Sequence, residues 1–267
     1  MSATRVLTSS LLVPLLLAVV WFLPPVCFAL LAAVAAAIGQ QELYAMARQR
    51  GTAPLSLTGI VLGAAVVMSM VYPLHALSGG ALPWVVLGVL AVLTVRLFSS
   101  RPVEGALEDV AMTLFGVFYV ALLFGYQVAI LAGGPGKRWL LFLYFVIWAS
   151  DIGAYYVGTA YGRRRLYEKI SPKKSIEGLL GGAAASMAVA LLCKFWLVGS
   201  LGWLEALLVG CALALVGTVG DLAESLLKRS IGVKDSGAII PGHGGILDRL
   251  DSLMFAAPAL YYYLGLR

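Results

Sequence analysis

The 267-residue chain is 61% hydrophobic and only 12% charged, with a net charge of +6 and a mean hydropathy of +0.94. Soluble domains carry about a quarter charged residues, so water is not the solvent for most of this surface, and a soluble globular domain is excluded. In such a chain the excess of Lys and Arg points to basic loops beside anionic headgroups, not to nucleic acid.

In chain order, apolar windows between polar or Pro/Gly punctuation predict about nine helices. They fall near 7–23, 26–46, 56–72, 82–98, 110–131, 139–161, 179–197, 203–227 and 253–264. The first follows Arg5 and runs into Trp21-Phe22-Leu23-Pro24-Pro25 without a small-x-small cleavage site, so it is expected to be a retained helix, not a signal peptide. The last is short and carries Pro258. The expected fold class is all-α: a polytopic integral membrane protein, one membrane-embedded domain over 1–267. Within it, 1–135 reads as a helical bundle region and 136–267 as the catalytic region. Cys27, Cys193 and Cys211 sit singly in apolar runs and read as small hydrophobes, not disulfide or metal partners.

With the N-terminus in the cytoplasm and the spans alternating, 15 of the 19 Lys and Arg residues fall on the cytoplasmic side, as the positive-inside rule expects. The exceptions are Lys137, Arg138, Lys194 and Arg267. Of the 13 Asp and Glu residues, 12 fall at or near that same side, Glu205 being the exception. Acids contribute little to orientation, so their concentration there signals chemistry.

Two cytoplasmic segments carry it. One runs from Asp151 in the sixth window through Gly162-Arg163-Arg164-Arg165 to Ser171-Pro172-Lys173-Lys174-Ser175-Ile176-Glu177-Gly178. The other runs from Gly220-Asp221 through Lys228-Arg229 and Lys234-Asp235 to Pro241-Gly242-His243-Gly244-Gly245 and Asp248-Arg249-Leu250-Asp251. Asp221, Glu224, Ser225 and Lys228 are spaced to share one helix face. Carboxylates inside an apolar span need a cation, a basic partner or a watery cavity. Asp248 and Asp251 repeat the acidic i, i+3 pair. Oxygen-only ligands favour a hard cation such as Mg²⁺, which keeps waters and bridges to substrate phosphates. The 242–245 run would let backbone N–H groups approach a phosphate. Acids for metal and bases for phosphate describe a nucleotide-transfer site without naming the substrate.

The stretch from Ser225-Leu226-Leu227-Lys228-Arg229 through Lys234-Asp235 to Gly242-His243-Gly244-Gly245-Ile246-Leu247-Asp248-Arg249-Leu250-Asp251 resembles the signature of phosphatidate cytidylyltransferases over 27 residues. The segments at Asp151, Ala154-Tyr155 and Gly158, and at Ser171 to Gly178, are similar to that family too. The resemblance implies a bacterial inner-membrane homodimer that uses Mg²⁺, possessing one or two metal ions per site, and joins CTP to phosphatidate at its cytoplasmic face. Carried over by position, Asp221 and Asp248 become the metal carboxylates and catalytic centre, with Glu224 and Asp251 beside them. Lys228, Arg229 and His243 join the catalytic set. Asp151, Lys173, Lys174, Ser175, Ser225, Lys234, Asp235, Gly244, Gly245 and Arg249 are expected to bind substrate.

Two rivals differ in what they require. A transporter predicts charges at mid-bilayer and an internal repeat, and the sequence offers neither. A CTP-dependent polyprenol kinase also pairs CTP with a membrane alcohol, but releases CDP instead of pyrophosphate.

Overall fold

A computed structural model describes residues 3–71, 82–237 and 244–267. The predicted site residue His243, with Pro241 and Gly242, lies outside them. Helix α1 spans Ala3–Phe22 and carries Pro14. Helix α2, Pro25–Arg48, opens on a proline at its first turn, where no N–H is missed. α3 spans Ser56–Ser69 and α4 Leu82–Leu97. α5, Ala106–Gly116, passes through a π turn at Val117–Leu122 into α6, Leu123–Ala132. α7 follows at Gly136–Tyr161, then an antiparallel hairpin of β1, Arg165–Tyr167, and β2, Ser171–Ser175. α8 spans Ile176–Trp196, α9 Trp203–Ile231 and α10 Leu247–Leu266.

The described chain is mostly helical, and five of its helical segments are long and apolar enough to cross a membrane: Pro25–Arg48, Ala106–Ala132, Gly136–Tyr161, Ile176–Trp196 and Trp203–Ile231. Large apolar side chains stand exposed along them, among them Leu30, Val34, Leu204, Leu208 and Val219. Surface of that kind requires lipid as its solvent. The protein is a multi-pass membrane protein.

Two features differ from the sequence expectation. Between the sixth and seventh windows, where a basic loop is expected, the chain forms the β1–β2 hairpin, pairing Arg165 with Ser175 and Tyr167 with Ser171. The last helix begins at Leu247, not near 253. An apolar window stops at Asp251, Arg249 and Asp248, whereas the backbone does not, and those residues occupy the first turns of α10.

The chain divides into two compact units, residues 1–133 with 230–250, and residues 134–229 with 251–267. In the first, α2 lies against α3 and the α5–α6 rod through a polar spine. Gln40 Nε2 donates to Gly59 O at 2.9 Å, Tyr44 Oη to Thr113 O at 2.8 Å, and Leu55 N to Thr113 Oγ1 at 2.8 Å. Buried Asp109 accepts from Ala53 N at 2.7 Å and from Arg96 Nε at 3.2 Å. Backbone and side-chain polar groups inside an apolar bundle need such internal partners.

In the second unit α7 and α8 pack backbone to backbone. A Cβ on Gly153 would stand 2.7 Å from Gly181 O, and one on Gly182 2.8 Å from Ser150 O. Small residues permit this approach. Ser186 Oγ then reaches Val146 O at 2.9 Å.

Candidate active site

In the second unit, α9 presents Asp221, Glu224, Ser225 and Lys228 at helical spacing. Ser225 Oγ donates to Asp221 Oδ1 at 3.4 Å, and Lys174 Nζ, at the end of β2, meets Asp221 Oδ2 at 2.5 Å. The hairpin is held for this contact. Ser175 caps α8 by accepting from Gly178 N at 3.1 Å, and Glu177 accepts from the Arg163 and Arg164 N–H groups at 3.0 and 3.2 Å. Arg229 Nε donates to Ile170 O at 3.3 Å, tying the end of α9 to the hairpin turn. Glu224 is fully buried and ion-paired with Lys228 at 3.1 Å, one turn away.

Asp251 enters from the first turns of α10, ahead of the apolar part of that helix, with its Oδ1 accepting from Ser252 N at 2.6 Å. Burial, and after it the charge of Asp221, push the Asp251 carboxyl upward from the usual carboxylate range. Two carboxylates sharing one neighbourhood raise each other's need for positive charge.

The approach of α10 to α9 depends on Gly220: a Cβ there would lie 2.5 Å from Asp251 O. Gly220→Ala must therefore push the two helices apart beside Asp221 and Asp251. Turnover of the folded variant is expected to drop about 10²-fold, the scale of a misplacement of about 1 Å. Initial rates on the monodisperse fraction from gel filtration check this.

In the first unit, Asp248 on α10 faces the segment before it. Its Oδ2 accepts from Ser236 N at 3.0 Å, Ser236 Oγ at 3.0 Å and Gly245 N at 2.9 Å. Gly244 takes a left-handed φ of 81°. Lys234, Asp235 and Arg249 are exposed.

Residues 3–266 match the Cytidylyltransferase family. The chain belongs to that family. It is 34% identical over 256 residues to a phosphatidate cytidylyltransferase of Synechocystis, covering 86% of this chain and 85% of that one. It is 32% identical over 262 residues to one of Mycobacterium bovis, covering 94% and 84%. One of Bacillus subtilis is 39% identical over 160 residues, 60% of each chain.

Among the residues expected to form the site of this cytidylyltransferase, Asp221, Ser225, Lys174, Glu224, Lys228 and Asp251 come together in the second unit, with Ser175 and Arg229 supporting the hairpin. Asp151 and Lys173 are exposed there, on α7 and β2. Asp248, Gly244, Gly245, Lys234, Asp235 and Arg249 belong to the first unit. Gly245 N, read from sequence as free to approach a phosphate, donates to Asp248 instead.

Sequence reasoning passed over Glu42. It sits near the end of α2, only 5% exposed, and accepts from Ser236 Oγ at 3.1 Å, Ile246 N at 3.0 Å and Leu247 N at 2.9 Å. The available signal was an acid, directly after Gln40-Gln41, inside an otherwise apolar helix.

Among the described residues no three His, Cys, Asp or Glu side chains converge into a ready cage for a metal. The Asp221–Asp251 pair nevertheless fits a magnesium-type ion. Such an ion is commonly held by one or two carboxylates and leaves its other positions to water and substrate phosphates.

Proposed function

We propose that this chain transfers CMP from CTP to phosphatidate, giving CDP-diacylglycerol and pyrophosphate. The observation that carries the reading is the Lys174–Asp221–Asp251 cluster, two acids and a lysine brought together from β2, α9 and α10, in a chain whose relatives are phosphatidate cytidylyltransferases.

A phosphate oxygen of phosphatidate attacks the α-phosphorus of CTP. The new O–P bond forms as the bond from that phosphorus to the β-phosphate oxygen breaks, and pyrophosphate leaves with the electron pair. The nucleophile is already anionic near neutral pH, so no strong general base is needed. The barrier lies in bringing two polyanions together, and Lys174, Lys173 and Arg229 of the second unit supply positive charge against it. Lys174, on its flexible stem, balances Asp221 and reaches toward arriving phosphates. Asp221 and Asp251 would hold Mg²⁺, which supplies charge neutralisation on the leaving pyrophosphate. Lys228 serves chiefly by neutralising the buried Glu224 one turn away on α9.

The positive-inside pattern supports about nine spans with the N-terminus and the carboxylates on the cytoplasmic face of a bacterial inner membrane. Phosphatidate then enters sideways from the bilayer and CTP from the cytosol. A homodimer completes the reading.

The test is purified protein in detergent with phosphatidate, CTP and Mg²⁺, following pyrophosphate and CDP-diacylglycerol. Formation of both, dependent on both substrates, is expected. CDP released only with a polyprenol would replace this reading with a lipid kinase. Chelation with EDTA is expected to stop the reaction and excess Mg²⁺ to restore it; turnover that persists in EDTA would remove the metal from the proposal.

A further inference from the structure

Glu42 lies far along the sequence from the segment it holds. Its carboxylate, inside the first unit, takes Ser236 Oγ from one flank of the 237–244 segment and the Ile246 and Leu247 N–H groups from the other. Asp248 takes Ser236 N and Gly245 N and shares the Ser236 hydroxyl with Glu42. That hydroxyl has one proton for two carboxylates, so the two acids are linked through it. Between them they engage the N–H groups at both ends of the segment and the otherwise unpaired donors at the start of α10. No space is left for another side chain here. A Cβ on Gly237 would stand 2.5 Å from Glu42 Oε1, and one on Gly245 would stand 2.1 Å from Ser236 Oγ and 2.5 Å from Glu42 Oε2.

We infer that Glu42 is a positioning residue for the reaction: acting through Ser236 and the start of α10, it sets the orientation of the Asp248 carboxylate. The inference rests on the function proposed above and adds to it a residue outside the signature stretch. A buried carboxylate with this many donors is not replaceable by its amide. In Glu42→Gln one acceptor oxygen becomes an NH₂ group facing N–H or O–H donors, and at least one hold on the segment is lost.

The experiment compares wild type, Glu42→Gln, Ser236→Ala and the double variant, each monodisperse in detergent. It measures steady-state kinetics and backbone hydrogen exchange across 236–247. Glu42→Gln is expected to lose at least about tenfold in kcat/KM for CTP with KM for phosphatidate unchanged within about twofold. Exchange at 245–247 should accelerate by a similar factor while α7 and α8 stay protected. Ser236→Ala should lose about threefold, and the double variant should be no worse than Glu42→Gln, because both act on one linkage. A folded Glu42→Gln with kinetics within twofold of wild type overturns the inference, even if its melting temperature falls, since a purely structural cap leaves the folded enzyme's kinetics alone. If Glu42→Gln does not fold, Ser236→Ala decides: wild-type kinetics there overturn it equally. A wild type that makes no CDP-diacylglycerol defeats the proposed function instead. In that case unchanged exchange at 245–247 in the variant would separately defeat the hold assigned to Glu42.

Discussion

Asp221→Asn is expected to lower CDP-diacylglycerol formation by about three orders of magnitude, the rate equivalent of about 4 kcal/mol of lost charge stabilisation. The side chain keeps its shape, and Asn still accepts from Ser225 Oγ, so the helix face survives. What disappears is the negative charge that meets Lys174 at 2.5 Å and faces Asp251. With that charge gone, Asp251 is left to attract a cation alone, and Lys174 loses the partner that sets its position. The loss should appear in kcat, at saturating CTP and phosphatidate, with an unchanged gel-filtration profile. A purified variant within tenfold of wild type would remove Asp221 from the reaction centre.

Lys228→Met is expected to act on stability before it acts on rate. Glu224 is fully buried and its ion pair with Lys228 spans one helical turn. Removing only the cation leaves a buried carboxylate without its counter-charge, a loss of about 3–5 kcal/mol, and on the order of 10 °C in thermal midpoint. Removing both charges, in Glu224→Gln/Lys228→Met, should recover most of it, because a buried pair is worth little against neutral residues of similar volume. Thermal melting in detergent separates the outcomes. If the double variant melts as low as the single one, the lysine stabilises by some route other than Glu224.

The length of a hydrocarbon core sets a threshold that apolar runs either pass or fail, so helices such as α2, α7, α8 and α9 are legible without any tertiary information. The face of α9 is legible for a related reason: spacing along one helix is a local property, and Asp221, Glu224, Ser225 and Lys228 declare it. What spacing does not contain is the partner. Glu224 pairs within its own helix, whereas Asp221 pairs with Lys174 from the hairpin, and nothing in the periodicity distinguishes the two. The hairpin itself escapes because its strands are short, basic and mostly exposed, with no alternating apolar face. Glu42 escapes because two of its three donors are the backbone N–H groups of Ile246 and Leu247, and main-chain donors leave no trace in residue identity. Its acid also looks like one more cytoplasmic charge at a helix end. The early start of α10 follows from the same blindness, since a carboxylate from another helix supports a first turn that hydropathy rejects.

The backbone-to-backbone seam of α7 and α8 bears on how the protein is made. The two helices are neighbours in sequence, joined only by the hairpin, and their contacts at Gly153, Gly181 and Gly182 require no residue from elsewhere. Such a pair closes a short loop and asks little of the rest of the chain. It is therefore suited to leave the translocation machinery as a finished helical hairpin while α9 is still being synthesised. Lys174 and the Ser175 cap would then be waiting in place when Asp221 arrives, so that biogenesis delivers the second unit's acids to a prepared basic platform.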